Sequence, residues 1–219
     1  MIAFTRNLPN FQPYSAQSNG MSLPNFKDLI QPVSSLESEL LTQKEFKVGY
    51  NWGVPRFGHP EGKVGFHVKE VLENIESINA DDLTIQRLRI AAIAHDTFKY
   101  QEAETKLNGK KINHGLLARR FMEDFTDDEA TLDLIEMHDE IYYSWRHGAL
   151  QGDAVLSKNR LDNLLSKIGN HLKLHYLFFR CDTMTGDKIQ TPRLWFENKI
   201  RETGYKEMNT LFAELGGMD

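Results

Sequence analysis

The sequence predicts an all-α fold, on three observations. From Pro32 onward, apolar residues recur at intervals of three and four, the spacing that lines one face of a helix. No segment alternates apolar and polar residues at period two, as a half-buried strand would. Breakers concentrate in short stretches such as 50–62 and 148–152, and no glycine or proline occurs between Gly65 and Gly109.

Residues 1–32 are unlike the rest. They hold four of the seven prolines and repeat the tetrapeptide Leu-Pro-Asn-Phe at 8–11 and 23–26, with no amphipathic period. They read as an extended N-terminal arm that tucks Phe11, Tyr14 and Phe26 onto a single helical domain, 33–219. Within that domain, Ser34 or Ser35 caps a short helix carrying Leu36, Leu40 and Leu41. A loop covers 50–62. A helix from Glu61 follows, with Val64, Val68, Val71, Leu72, Ile75 and Ile78 on one stripe. Asp81 or Asp82 caps the next, whose run Leu88 to Ala94 is apolar nearly all round, the mark of a central buried helix. A further helix starts near Asn113. Thr126-Asp127-Asp128-Glu129 reads as a capping box opening another. A long helix is expected over 157–183 and a last one over 192–215, with Pro192 in its first turn.

Composition narrows the function. Lys plus Arg is 26 and Asp plus Glu is 31, a formal net charge of −5. A mildly acidic chain does not track a long nucleic acid, because that affinity comes from clustered cations, but it can take a nucleotide-sized ligand. No apolar run approaches the roughly 18 residues that cross a bilayer, so no membrane partner is expected. The first residues hold a single Arg and no continuous apolar stretch, unlike a secretory signal. The one cysteine, Cys181, excludes an internal disulfide framework and a Cys-based zinc site. A reducing, cytoplasmic setting is expected.

The informative residues are polar groups on apolar faces. His67 lies three after Val64 and four before Val71, and His95-Asp96 ends the central apolar run. His114 precedes Leu117, Ala118 and Phe121 by three, four and seven. His138 follows Leu134 and Ile135 by four and three, as Asp182 follows Phe178 and Phe179. Each buried polar group without a partner costs about 1–3 kcal/mol, and an unpaired carboxylate far more. A domain whose net stability is about 5–15 kcal/mol cannot hold six such groups unpaired. One or two divalent metals satisfy all of them, and imidazole with carboxylate suits iron, manganese, zinc or nickel rather than calcium.

In this order the residues resemble the HD-domain superfamily of metal-dependent phosphohydrolases. His67, then His95-Asp96, then a distant Asp182 give the pattern H…HD…D. The stretch Ala91-Ala92-Ile93-Ala94-His95-Asp96-Thr97-Phe98-Lys99 resembles that family's central helix, where a small apolar run leads into HD and often HDxxK. The resemblance spans residues 58–187. With His114 and His138 the order becomes H…HD…H…H…D, similar to the two-metal branch, which includes dinucleotide polyphosphate and cyclic dinucleotide hydrolases and also diiron oxygenases. His138-Asp139 is a second HD dipeptide, and His114…His138-Asp139…Asp182 also satisfies H…HD…D. It lacks the apolar approach of Ala91 to Ala94 and leaves His67 and His95 unexplained, so Asp139 is expected to stay outside the ligand set.

The resemblance implies a helical bundle around a buried site with His67, His95, Asp96, His114, His138 and Asp182 as ligands. Asp96 would bridge two ions, drawn from Fe, Mn, Zn, Ni, Co and Mg. Lys99, four after His95 and three after Asp96, shares their edge and can contact a substrate phosphate or protonate a leaving oxygen. Arg56, His59 and Lys63 in the breaker-rich loop offer an anion clamp. His175, seven residues before Asp182, is placed to line the pocket about 10 Å along the helix. The expected function is hydrolysis of a small phosphate ester, a nucleotide above all, with Asp96 and Lys99 in catalytic roles. The alternatives are a diiron oxygenase with the same ligands and a non-catalytic HD binding module. A homo-oligomer is compatible with all three.

Overall fold

A computed structural model describes residues 25–215. They form thirteen α-helices: α1 (Phe26–Ile30), α2 (Ser35–Leu40), α3 (Lys44–Tyr50), α4 (Val64–Glu76), α5 (Asp82–Ala94), α6 (Lys99–Leu107), α7 (His114–Met122), α8 (Glu129–Met137), α9 (Glu140–Ala149), α10 (Ala154–Ile168), α11 (Leu172–Thr183), α12 (Thr191–Thr203) and α13 (Lys206–Leu215). There is no strand among the described residues, only an isolated bridge between Arg56 and His59. The all-α expectation holds.

α5 is the central helix. Every residue from Leu88 to Ala94 is buried, and it packs against α4, α8 and α11. Its one charged member in that run, Arg89, makes a bidentate pair with Glu37 of α2, Nε to Oε1 and an Nη to Oε2, both at 2.9 Å. Ser34, rather than Ser35, caps α2 by accepting from Glu37 N–H at 3.1 Å. Glu37 Oε2 also accepts from Val33 N–H at 2.9 Å, so one carboxylate closes the helix start and pins it to the core. α7 packs on α8 and α9 on α10, each pair joined by a short connection, and α12 packs on α9.

Several expected boundaries move. The end of the arm is not extended: Asn25 caps α1, and Phe26 sets its ring edge-on against Tyr50 and Phe66, 5.6 and 5.5 Å between centroids. Phe11 and Tyr14 lie outside the described residues. The 157–183 helix is two, α10 and α11, separated by a 3-10 turn at Gly169–His171, because Gly169 takes φ +47°. Gly204 at φ +79° likewise divides the 192–215 segment into α12 and α13. Asp128, not Thr126, caps α8, accepting from Thr131 N–H while Arg87 grips its two oxygens at 2.9 and 2.6 Å. That places Glu129 at the first helical position, where it pairs with Arg119 instead of completing a capping box. The breaker-free window also divides once more, at the turn 95–98, releasing the unforeseen α6. No helix among the described residues is long and apolar enough to cross a membrane.

Candidate metal centre

Five helices converge on one point. His67 comes from the first turn of α4 and His95 from the end of α5, with Asp96 in the turn that follows. His114 opens α7, held there by Asn113, whose side chain accepts from Gly115 and Leu116 N–H. His138 closes α8, and Asp182 lies in the last turn of α11. The four imidazoles and Asp96 are 1–2% exposed. Because His95 and Asp96 sit where α5 gives way to a turn, their side chains reach the same point despite being adjacent.

The donor atoms fall into two sets that share Asp96. In the first, His95 Nε2 is 3.4 Å from His67 Nε2 and 3.4 Å from Asp96 Oδ2, and Asp182 Oδ1 is 2.8 Å from His67 Nε2. In the second, His114 Nε2 and His138 Nε2 are 3.1 Å apart, and Asp96 Oδ1 is 3.3 and 3.6 Å from them. Each oxygen of one carboxylate therefore faces its own imidazole pair. Donors about 2.0–2.1 Å from a tetrahedral ion stand about 3.3–3.4 Å apart, and neighbouring donors of an octahedral ion about 3 Å. The observed spacings suit both. Donor atoms of His67, His95 and Asp96, and of Asp96, His114 and His138, lie within 4.8 Å of one another in each group.

The hydrogen bonds behind the imidazoles settle which nitrogen faces inward. His95 Nδ1 donates to Ala92 O at 2.9 Å and His138 Nδ1 to Ile135 O at 2.8 Å. His114 Nδ1 meets Glu102 Oε2 at 2.5 Å, and His67 Nδ1 meets Thr185 Oγ1 at 3.3 Å, whose hydroxyl donates to Asp182 O. With an acceptor behind each of the four rings, Nδ1 can carry a proton in all of them, and each Nε2 is turned towards the other ring of its pair and a carboxylate. Buried Asp96 Oδ1 has no hydrogen-bond partner. Unprotonated nitrogens facing carboxylates and one another in a dry interior repel, and a proton or a metal ion between them reverses the sign. The residues fit divalent metal, and the cluster can hold it.

Electrostatics agree. Burial alone raises the Asp96 carboxyl, yet His95, Lys99, His114 and His138 hold it well below the carboxylate range. Asp182 behaves alike, with Lys188, His67 and His95 outweighing burial. Burial pulls the His67 imidazole down to about 4, with Lys188 adding to the shift. His114 goes the other way, to about 9, because Asp96 and Glu102 overcome burial.

The site opens into a cavity of about 650 Å³ lined by Arg56, His59, Lys99, Asp139, Tyr143 and Lys188, among others. Lys99 donates to Asp96 Oδ2 at 2.5 Å. Arg56 is exposed at the mouth. His59 is half-buried, with Nδ1 2.9 Å from Glu61 Oε1, and burial followed by Lys99 and Lys188 lowers it to about 3. His59, Glu61 and His67 form a third close group of donors, with Glu61 on the Nδ1 side of His67 at 3.7 Å. Two residues proposed for the pocket are elsewhere. Lys63 turns back to donate to Asn51 O at 2.8 Å, fixing the loop before α4. His175 is 1% exposed and bonds through Nε2 to Met137 O at 3.1 Å, bracing the end of α8 rather than lining the cavity.

Asp139, expected to stand apart, is at the site: its Oδ2 is 3.5 Å from His114 Nε2 and 3.7 Å from His138 Nε2. Both His-Asp dipeptides thus lie at one cluster, and the two readings of the pattern are not exclusive. Glu61, Glu102, Thr185 and Lys188 are the other site residues that helical periodicity did not point to. Compared with protein-family models, with curated proteins and with solved structures, the chain matches none of them.

Proposed function

We propose that this protein is a metal-dependent phosphohydrolase acting on a nucleotide or another small phosphate ester. The observation that carries the reading is Asp96, whose two oxygens face two separate imidazole pairs at the floor of a cation-lined cavity. The order H…HD…H…H…D, similar to the two-metal HD branch, supports the same conclusion. Mixed nitrogen and oxygen donors favour manganese, iron, cobalt, zinc or nickel over magnesium, which prefers oxygen. When bound, divalent ions supply Lewis acidity and lower the pKa of water from about 16 towards about 7, giving a nucleophile at neutral pH.

The chain's own residues do the rest. Asp96 and Asp182 fix the first donor set, and Asp96, His114 and His138 the second. Glu102 and Thr185 orient imidazoles from behind, which is how outer hydrogen bonds tune such ligands. Lys99, at the edge of the cluster, neutralises charge on phosphoryl oxygens. The single buried thiol, Cys181, is in keeping with a reducing, cytoplasmic setting.

The test is a panel of nucleotides and phosphoesters offered to the manganese-loaded protein under nitrogen. Turnover there, lost in Asp96→Asn, is the expected result. Silence across the panel together with substrate-dependent oxygen uptake by the iron-loaded protein transfers the site to dioxygen chemistry.

A further inference from the structure

Lys188 stands in the turn between α11 and α12, on a residue that no sequence pattern singled out. Its ammonium donates to Asp182 Oδ1 at 2.9 Å and to Asp182 O at 3.0 Å. Oδ1 is the same atom that lies 2.8 Å from His67 Nε2 and 3.9 Å from His95 Nε2. Lys99 repeats the arrangement. Its ammonium donates to Asp96 Oδ2, the oxygen 3.4 Å from His95 Nε2 and 3.7 Å from His67 Nε2. Each lysine therefore sits on the carboxylate oxygen that faces the first imidazole pair.

An ion held by those oxygens and two ammoniums bonded to them are like charges competing for one place. The ion has imidazole ligands that the ammoniums lack, and the lysine stems are flexible, so the ammoniums turn aside. Where they turn is fixed by their surroundings. Both line the cavity, and their side chains are only 19% and 17% exposed, so neither reaches bulk water freely. Two cations freed into one cavity, with Arg56 at its mouth, call for an anion.

We propose that Lys188 and Lys99 form a paired oxyanion seat that is assembled by metal binding. Before ions bind, the lysines neutralise Asp182 and Asp96. Afterwards they exchange those partners for a tetrahedral oxyanion of the phosphate class. The choice of phosphate rests on the phosphohydrolase reading, but the exchange of partners does not depend on turnover. Linkage then requires that ion and oxyanion raise each other's affinity by the same factor.

The experiment uses the full chain stripped with chelator, calorimetric titration of manganese, and titration of inorganic phosphate into metal-free and manganese-loaded protein. Phosphate should bind the loaded protein about ten-fold or more tightly than the metal-free one. Lys188→Met should keep the ion stoichiometry, bind manganese no more weakly than the parent, and lose about ten-fold or more in phosphate affinity. Lys188→Arg should retain most of that affinity and guards against a variant that merely misfolds. Lys110→Met, the same charge change at an exposed site, should alter neither. Equal phosphate affinity in Lys188→Met and parent, equal affinity with and without manganese, or no phosphate binding to the loaded parent each overturns the seat. The two readings fail separately. A silent ester panel with the Lys188 effects intact sinks the hydrolase and spares the seat, while ester turnover with unchanged phosphate affinity in Lys188→Met does the reverse.

Discussion

Replacing Asp96 by Asn tests the shared carboxylate most directly. The substitution keeps the shape but removes the charge, and it turns one of the two oxygens into an N–H donor. In the parent, Oδ1 serves the His114 and His138 pair and Oδ2 the His67 and His95 pair, so the amide damages both sets whichever way it lies. An ion at about 100 times its dissociation constant adds about 2.7 kcal/mol to folding, and two such ions about 5 kcal/mol. For a chain of 219 residues each kcal/mol shifts Tm by about 2–4 °C, so saturation with manganese should raise Tm by about 10–20 °C. His114→Ala removes a donor from the second set alone and should keep about half of that shift. Asp96→Asn should lose nearly all of it. The assay is thermal unfolding of chelator-stripped protein over a manganese series, followed by near-ultraviolet circular dichroism. A full metal-dependent shift in Asp96→Asn would refute the shared-carboxylate geometry, and a full shift in His114→Ala would refute the second set.

Three further outcomes follow from named contacts. Asp139→Asn should leave the first ion in place and weaken the second by about ten-fold or more, read by titration with cobalt, because of the four imidazoles its carboxylate borders His114 and His138. Glu37→Ala strips the partner from Arg89, 6% exposed, and should cost about 3–5 kcal/mol in urea unfolding. Joint replacement, Glu37→Leu with Arg89→Met, should recover much of that loss, and no recovery would mean the pair contributes more than its charges. The Asp128 carboxyl is held low, with Arg87 and Thr131 outweighing partial burial. Its folded pKa therefore lies below the unfolded value of about 3.9, so its contribution is present above about pH 4 and fades as pH falls through the folded pKa. Arg87→Met should flatten that acid limb of the urea midpoint, and an unchanged limb would assign it to other carboxylates.

Helices were legible where burial was one-sided or complete. The α5 run from Leu88 to Ala94 could only be a central helix, and it is buried throughout. The two undivided helices share a cause, since periodicity reports the phase of a stripe and not its continuity. Leu161, Leu164, Ile168 and Leu172 keep intervals of three and four straight across the break at Gly169. Ile200, Met208, Leu211 and Leu215 stay in phase across Gly204, eight, three and four residues apart. α6 was invisible for the opposite reason: it buries no residue, so it has no stripe to detect, and the turn before it contains neither glycine nor proline.

The same physics explains what could be read of the site. A titratable residue in phase with an apolar stripe is expected to be buried, and His67, His95, His114 and His138 are, while Asp182 is partly exposed; His175, placed by its spacing from Asp182, is buried too. Phase does not say what the side chain meets there. His175 meets a backbone carbonyl and ties α11 to the end of α8, whereas the other four spend Nδ1 on an acceptor behind them and turn Nε2 towards the cluster. Glu61, Glu102 and Lys188 reach the site from turns or from a helix with no apolar face, so no period marks them. Asp139 was marked by its HD dipeptide, but as a rival to Asp96. The position of Asp96 resolves that rivalry: its two oxygens face two imidazole pairs, and Asp139, next to His138, lies beside the second.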